Sequence, residues 1–187
     1  DTVVELKDEW LNKDFGDLYR EGAGYKISYR EAARLALEES DNTAIEVVKA
    51  STEGILTQAK DSSFFALDVD YVYGADSNVE LTARGYSSFL KCLYFACYLT
   101  PESSQEVLGY LTNSSAGLDR IVKYIPGDIK VAHKIGTFGN LVQGDCGVVY
   151  VERRNYILCI IVQETEEVGS ELIAKISDII YKYIIIN

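Results

Sequence analysis

The sequence predicts an α+β fold, in which a mainly helical lobe is followed by an antiparallel sheet and a closing helix. Apolar residues recur at helical spacing through most of the first 125 residues, whereas three short runs rich in β-branched and aromatic residues follow from residue 129. The chain has 187 residues, 48% of them hydrophobic, which suffices to bury a core in one domain. We expect residues 25–125 to form the helical lobe and residues 126–187 the sheet lobe with its closing helix.

The first elements are a short strand and a capped helix. Residues 2–6 have the β-branched character of a strand, and charged, glycine-bearing loop sequence follows as far as Gly24. Ser28 and Glu31 then form a capping box, because the hydroxyl can accept from a free amide of the first helical turn while the carboxylate reaches back. A helix is predicted from this point to about Glu39.

Three further helices are predicted before the sheet. Ser40, Asp41 and Asn42 occupy a break, because three hydrogen-bonding side chains in succession favour a turn or a cap over a helix interior. A second helix is expected over residues 43–50 and a third over residues 82–99. A fourth begins at residues 100–101, where proline suits the first helical position.

The last third of the chain changes its period. Residues 129–134, 145–151 and 156–163 are predicted strands, and a polar turn at residues 152–155 joins the last two. Residues 170–183 carry apolar side chains at helical spacing and predict the closing helix.

The overall charge and the cysteines exclude several function classes. The formal net charge is −11 at pH 7, whereas nucleic-acid binding needs clustered Lys and Arg to neutralise phosphates, so no nucleic-acid partner is expected. Cys92, Cys97, Cys146 and Cys159 lie in apolar segments without Cys-x-x-Cys spacing, and no metal or cofactor is predicted. Buried structural thiols are favoured, and a disulfide between Cys146 and Cys159 remains the alternative.

Two motifs in order carry a family resemblance. Residues 40–44 read Ser-Asp-Asn-Thr-Ala, and residues 131–137 read Val-Ala-His-Lys-Ile-Gly-Thr. They resemble the SDN motif and the KTG strand of the class A β-lactamase and penicillin-binding-protein superfamily, whose members are active-site serine acyl enzymes. Residues 145–150 are similar to the next strand of that family, and the resemblance covers the chain from Ser28 onward.

The resemblance implies a role for each matching residue. Ser40 would shuttle a proton toward the leaving nitrogen, and Asn42 would donate its amide to the substrate carbonyl. Lys134 would supply the positive charge that assists this transfer and attracts the substrate carboxylate. Thr137 would offer its backbone N–H to the oxyanion, and Gly136 belongs to the same substrate-binding strand.

Each residue also has a structural interpretation. Ser40 and Asn42 are common helix caps, Lys134 suits a solvated strand position, and Gly136 suits a β-bulge. His133, the one histidine of the chain, precedes the lysine and therefore points to the opposite face of a strand. We expect it to support the site by packing or hydrogen bonding and not to act as the catalytic base.

Because of three departures from the family pattern, the resemblance indicates shared ancestry but does not by itself imply present activity. No Ser-x-x-Lys precedes Ser40, where the family keeps its nucleophile and general base at the start of a buried central helix. That helix, the family's first helix and two strands of the sheet are expected to lie before Asp1. Ile135 replaces a Ser or Thr that contacts the substrate carboxylate. The third departure is that residues 64–78 lack the ExxxN loop that positions the deacylating water.

That loop offers other polar side chains, and no glutamate occurs in it before Glu80. Carboxylates in surface loops are usually solvated, so none is a favoured water activator. The available side chains are those of Asp68, Asp70, Asp76 and Asn78.

The sequence therefore predicts a β-lactamase-like serine hydrolase domain that acts on β-lactam or D-alanyl-D-alanine-type molecules and is incomplete or inactive alone. A penicillin-binding D,D-peptidase is the alternative within enzymes, and a non-catalytic ligand-binding or assembly module is the alternative of another class. The missing segment is expected from elsewhere in the gene, from a partner chain or from a swapped protomer. The family implies a periplasmic, secreted or cell-surface protein.

Overall fold

A computed structural model of the chain describes residues 2–51, 71–73, 79–139 and 141–187, and the chain divides into two compact units, residues 1–61 and 62–187. Helices and strands together confirm the predicted α+β class. In chain order the elements are β1 (Val3–Glu5), β2 (Lys26–Ser28), α1 (Tyr29–Glu38), α2 (Asn42–Ser51), β3 (Tyr71–Tyr73), β4 (Val79–Leu81), α3 (Ala83–Tyr94), α4 (Pro101–Thr112), β5 (Val131–Phe138), β6 (Val142–Val149), β7 (Tyr156–Val162) and α5 (Glu166–Ile186).

The described part of the first unit packs helices α1 and α2 and a two-stranded sheet around an aliphatic core. β1 and β2 pair antiparallel, with Val4 opposite Ile27. The predicted cap of α1 is confirmed, since the Ser28 hydroxyl accepts from the Glu31 N–H at 3.1 Å. The preceding segment, predicted to be loop, contains two short 3-10 helices, Asp8–Trp10 and Leu18–Glu21. The buried apolar side chains of this unit are Leu6, Leu18, Ile27, Ala32, Ala36, Ala44 and Val47.

The second unit is built on an antiparallel sheet in the order β5-β6-β7. Helices α3 and α5 pack against β6 and β7, and α4 packs against β5. The main core cluster joins the sheet to α5 and to the segment before β5. Its buried members are Ile121, Ile125, Val131, Val149, Val151, Leu158, Ile160, Ile173 and Tyr181.

Several predicted boundaries were wrong. β5 begins at Val131 and continues to Phe138, because Ile135, Thr137 and Phe138 favour strands and pair with β6 on both sides of Gly136. β6 spans Val142–Val149, three residues earlier at its start than the prediction of 145–151. The closing helix is longer than predicted and spans Glu166–Ile186.

The interpretation of the cysteines as four buried thiols was also wrong. Cys146 and Cys159 face each other across β6 and β7 with their Cα atoms 4.0 Å apart, and a disulfide joins them. Cys92 is a buried free thiol, whereas Cys97 is exposed. The pairing depends on strand register, which spacing along the chain does not reveal. Among the helices of the described ranges, none has the length and apolar character needed to cross a membrane.

Helix α3 ends at Tyr94, five residues before the predicted end, in a Schellman motif. The Ala96 N–H donates to the Leu93 carbonyl at 3.2 Å, and the Cys97 N–H donates to the Cys92 carbonyl at 2.9 Å. These are the two reversed hydrogen bonds that close such a motif, and they require a left-handed residue between them. Ala96 supplies it with a φ of 50°, at a position where glycine is the usual choice.

We expect Ala96→Gly to raise the free energy of unfolding by about 1 kcal/mol, because glycine adopts a left-handed backbone without the steric cost of a Cβ. The matched control is Ala33→Gly in the interior of α1, which should lower it by about 1 kcal/mol. Urea denaturation of both variants measures the two changes. Equal losses of stability would contradict this account of the α3 terminus.

Candidate functional site

Ser40 lies between α1 and α2 with a left-handed backbone. It is buried, and its φ is 57°. A left-handed conformation costs a residue with a Cβ about 1 to 2 kcal/mol, and such positions cluster at functional sites. The surrounding structure therefore holds Ser40 in a conformation that the residue alone disfavours.

The Asp41 carboxylate holds the break between α1 and α2 in place by accepting two backbone hydrogen bonds. It is 1% exposed, and its two oxygens accept from the Leu18 N–H and the Ala44 N–H, each at 2.8 Å. One bond caps α2 and the other holds the preceding loop. Gly16 has a φ of 87°, and a Cβ there would stand 2.1 Å from an Asp41 carboxylate oxygen. The close approach explains why this turn carries glycine.

Asn42 and Thr43 join the same loop from the start of α2. The Asn42 N–H donates to the Phe15 carbonyl at 2.9 Å, and its side-chain amide donates to the Asn12 side-chain oxygen at 3.5 Å. The Thr43 hydroxyl donates to the Asn12 carbonyl at 3.1 Å. The tripeptide of the first motif is thus fastened on both sides, and Asp41 supplies the side-chain cap for Ala44.

Lys134 lies on β5, opposite Cys146 of β6. Its side chain is half-buried, and the ammonium donates to the Ile135 carbonyl at 3.3 Å. Burial lowers the pKa of Lys134; the Asp145 carboxylate opposes this shift, and the Arg120 guanidinium adds to it. A lysine with a lowered pKa exchanges protons more readily near neutral pH than a solvated one.

Arg120 holds the end of the same strand and was missed by the sequence analysis. Its side chain is 2% exposed, and the guanidinium donates to the Gly136 carbonyl at 3.1 Å and the Gly144 carbonyl at 2.7 Å. It also donates to the Thr137 hydroxyl at 2.8 Å and to the Gln143 side-chain oxygen at 2.9 Å. The Thr137 hydroxyl donates onward to Gln143 at 3.2 Å. Gly136 and Thr137, both predicted substrate-binding residues, are exposed to solvent. The buried Arg120 guanidinium holds both of them in place through these hydrogen bonds.

His133 lies on the buried side of β5, as predicted. It is 2% exposed, and its Nδ1 is 3.1 Å from both oxygens of the buried Asp145 carboxylate. Asp145 also accepts from the Ile121 N–H at 3.1 Å. The expectation that His133 supports the strand by packing and hydrogen bonding is confirmed. Asp145 itself was missed, because strand pairing alone brings it near His133, two residues along β5 from its register partner Ile135.

Ile135 packs on the segment that leads to Arg120. Gly117 has a φ of 74°, and a Cβ there would stand 2.1 Å from the Ile135 Cγ2. The isoleucine therefore fills the space over a glycine that cannot carry a side chain. No hydroxyl is available at position 135 for a substrate carboxylate.

Two further sequence features bear on the site. The predicted loop residues Asp68, Asp70, Asp76 and Asn78 lie outside the described residues. The sequence contains one Ser-x-x-Lys, from Ser88 to Lys91, but it follows Ser40 and lies within α3. There the Ser88 hydroxyl donates to a carbonyl of its own helix at 3.4 Å and Lys91 is exposed, so this pair does not resemble a buried nucleophile and base.

The family assignment comes from comparison of the whole chain. A sequence model described as the beta-lactamase enzyme family matches residues 1–184. The chain belongs to the β-lactamase enzyme family. No curated protein matches it. Within the described ranges no three His, Cys, Asp or Glu side chains are grouped to hold a metal.

Solved structures described as PBP-A and as β-lactamases share the fold of this chain. PBP-A superposes with a TM-score of 0.86 at 19% identity, over 97% of this chain and 71% of that one. A β-lactamase from Chitinophaga pinensis superposes with a TM-score of 0.82 at 21% identity, over 98% and 76%. A class A β-lactamase from Bacteroides cellulosilyticus gives 0.83 at 19%, over 97% and 74%. A mutant of PBP-A was solved as an acyl-enzyme complex with penicillin G. The β-lactamase-like fold predicted from the motifs is confirmed.

Replacing Asp41 by alanine should lower the free energy of unfolding by about 2 to 4 kcal/mol, since two buried N–H groups lose a charged acceptor. The control is Asp14→Ala in the same loop, where the side chain is exposed and a change below about 0.5 kcal/mol is expected. Urea denaturation measures both. Similar losses for the two variants would contradict the role given to Asp41.

Lys134→Met should be more stable than the unsubstituted chain at pH 7. Burial lowers the folded pKa of Lys134 below 10.5, so in this region the unfolded chain binds more protons than the folded chain. The stability of the unsubstituted chain therefore rises relative to the variant as the pH increases toward 10.5. Urea denaturation at a series of pH values measures the difference. Lys130→Met, at an exposed position, is the control, and the difference in stability between it and the unsubstituted chain should not shrink as the pH increases.

Proposed function

We propose that this chain supplies the proton-shuttle, anchoring and oxyanion residues of a serine acyl-transfer site for β-lactams. The serine nucleophile and its lysine come from outside these 187 residues. The observation that carries the proposal is the pair of ordered motifs within a β-lactamase family chain, whose lysine has a pKa lowered by burial. The absence of a Ser-x-x-Lys before Ser40 supports the part of the proposal that places the nucleophile outside these residues.

The proposed reaction needs a proton path as well as a nucleophile. The serine oxygen attacks the lactam carbonyl, the C–N bond breaks, and the nitrogen must gain a proton as it leaves. Ser40 passes that proton from its hydroxyl and is reprotonated from the nucleophile's side. The positive charge of Lys134 lowers the cost of the transfer, and the Thr137 N–H stabilises the oxyanion. Asn42 donates its amide to the substrate carbonyl.

Two alternatives keep a physical basis. A penicillin-binding D,D-peptidase acting on a D-alanyl-D-alanine-type substrate forms the same acyl enzyme but does not hydrolyse it rapidly. A non-catalytic ligand-binding or assembly module is favoured by Ile135, which packs on Gly117 and offers no hydroxyl to a carboxylate.

The missing part and the compartment are also proposed. The nucleophile segment comes from elsewhere in the gene, from a partner chain or from a swapped protomer. A periplasmic, secreted or cell-surface location is proposed from the family, and the Cys146–Cys159 disulfide supports it because disulfides persist in oxidising compartments.

A fluorescent penicillin distinguishes these functions. The 187-residue chain alone should remain unlabelled, and the full-length gene product or its complex should form a covalent adduct. An adduct that hydrolyses, together with nitrocefin turnover, indicates a β-lactamase, and a lasting adduct indicates a D,D-peptidase. Absence of any adduct on a preparation that contains a Ser-x-x-Lys segment would favour the non-catalytic module. Covalent labelling of the chain alone would overturn the proposal.

Lys134→Ala should slow formation of the adduct by about 100-fold, since a charged group at the proton path and the carboxylate is lost. Lys130→Ala, four residues before the motif lysine and exposed, is the matched control and should leave the rate within about twofold. Quenching the labelling reaction at several times gives the rate of adduct formation for both variants. Equal rates for the two variants would remove Lys134 from the mechanism.

A further inference from the structure

Two free cysteines meet at the end of α3. In the Schellman motif described above, Cys92 is the residue whose carbonyl accepts the outer hydrogen bond, and Cys97 is the residue that donates it, at 2.9 Å. Side chains at these two positions of the motif are commonly in contact, because the left-handed residue between them folds the chain back over the helix. The motif thus brings one buried and one exposed thiol together.

We propose that Cys92 and Cys97 form a reversible disulfide that closes the C-terminal end of α3. This inference rests on the geometry of the second unit and does not depend on the proposed function. The structure holds the pair as free thiols, and the disulfide between Cys146 and Cys159 is separate from it. The hydrogen bond from the Cys97 N–H to the Cys92 carbonyl already brings the backbones of the two residues together across this turn.

The properties of the two thiols assign the order of events. Burial and a hydrogen bond between its thiol and that of Cys97 raise the pKa of Cys92 to about 11. Cys92 is therefore almost fully protonated at neutral pH, and it is shielded from solvent. The exposed Cys97 reacts first with an external oxidant, and Cys92 resolves the product.

The oxidant is a small-molecule disulfide such as glutathione disulfide. The Cys97 thiolate attacks one sulfur, its S–S bond breaks, and one thiolate leaves, which gives a mixed disulfide on Cys97. The Cys92 thiolate then attacks the Cys97 sulfur, and the second small thiolate leaves. Two protein thiols are oxidised, one small disulfide is reduced, and the two protons released by the cysteines appear on the two small thiols.

The neighbouring contacts show what the bridge would hold. Tyr94, the last residue of α3, accepts a hydrogen bond on its phenol oxygen from the Asn155 side-chain amide at 2.8 Å. Asn155 lies in the turn between β6 and β7, against which α3 packs. A bridge from Cys92 to Cys97 closes the chain directly after this contact and limits fraying of the helix end.

The equilibrium between the 187-residue chain and defined glutathione mixtures tests the proposal. Samples in native buffer and in urea are quenched with acid and alkylated, and peptide mass spectrometry separates the Cys92–Cys97 bridge from the Cys146–Cys159 bridge. The equilibrium constant for the Cys92–Cys97 bridge should be at least about tenfold larger in native buffer than in urea, because the folded turn raises the effective concentration of one thiol at the other.

Three variants control the measurement. Cys97→Ser should leave Cys92 reduced and free of glutathione, since it is buried. Ala96→Gly keeps the left-handed position and should keep the native equilibrium constant, whereas Ala96→Pro cannot adopt a φ of 50° and should reduce it to the value in urea. Equal constants in native buffer and in urea would overturn the proposal. So would a stable glutathione adduct on Cys97 with Cys92 still open to alkylation after unfolding, and either result can be obtained from the unsubstituted chain and Ala96→Gly alone.

Discussion

The second unit depends on the burial of one guanidinium group. Placing a cation in a protein interior costs several kcal/mol unless acceptors replace its water. The two terminal nitrogens of Arg120 meet this requirement with acceptors on two neighbouring strands, including the carbonyls of Gly136 and Gly144, which face each other in the register of β5 and β6. The strands stabilise the Arg120 guanidinium, and the guanidinium in turn fixes the relative position of β5 and β6. It does so at the end of the KTG-like segment, where Thr137 would meet a substrate.

The charges around β5 also set the properties of its lysine. Arg120 lowers the pKa of Lys134 and Asp145 raises it, while burial lowers it more than either. His133 binds the Asp145 carboxylate at 3.1 Å from the buried side of the strand. The proton affinity of Lys134, on one side of β5, therefore depends on the Asp145 carboxylate. His133 holds that carboxylate in place from the buried side of the strand. A substitution at His133 would act on Lys134 through Asp145, without contact between the two side chains.

The sequence could predict those parts of the fold that local pattern determines. The cap at Ser28 and the proline at the start of α4 lie within one turn of the elements they begin, and both predictions were confirmed. The site motifs were located because they are contiguous in the chain. Arg120 and Asp145 were missed because their partners are 12 or more residues away and are brought near only by the tertiary fold. The end of α3 was predicted too late because an alanine, and not a glycine, holds its left-handed position.

The departure of position 135 from the family is embedded in its surroundings. Ile135 Cγ2 occupies the space where a Cβ at Gly117 would stand, and Gly117 has a φ that favours glycine on its own account. Restoring a threonine at 135 would remove apolar contacts from this packing and leave a void, a change that costs about 0.5 to 1.5 kcal/mol even for Ile→Val. Gly117 lies three residues before Arg120, so a shift in this segment would reach the guanidinium that holds Thr137. The isoleucine is therefore part of the support of the strand, and position 135 cannot regain a hydroxyl without disturbing that support.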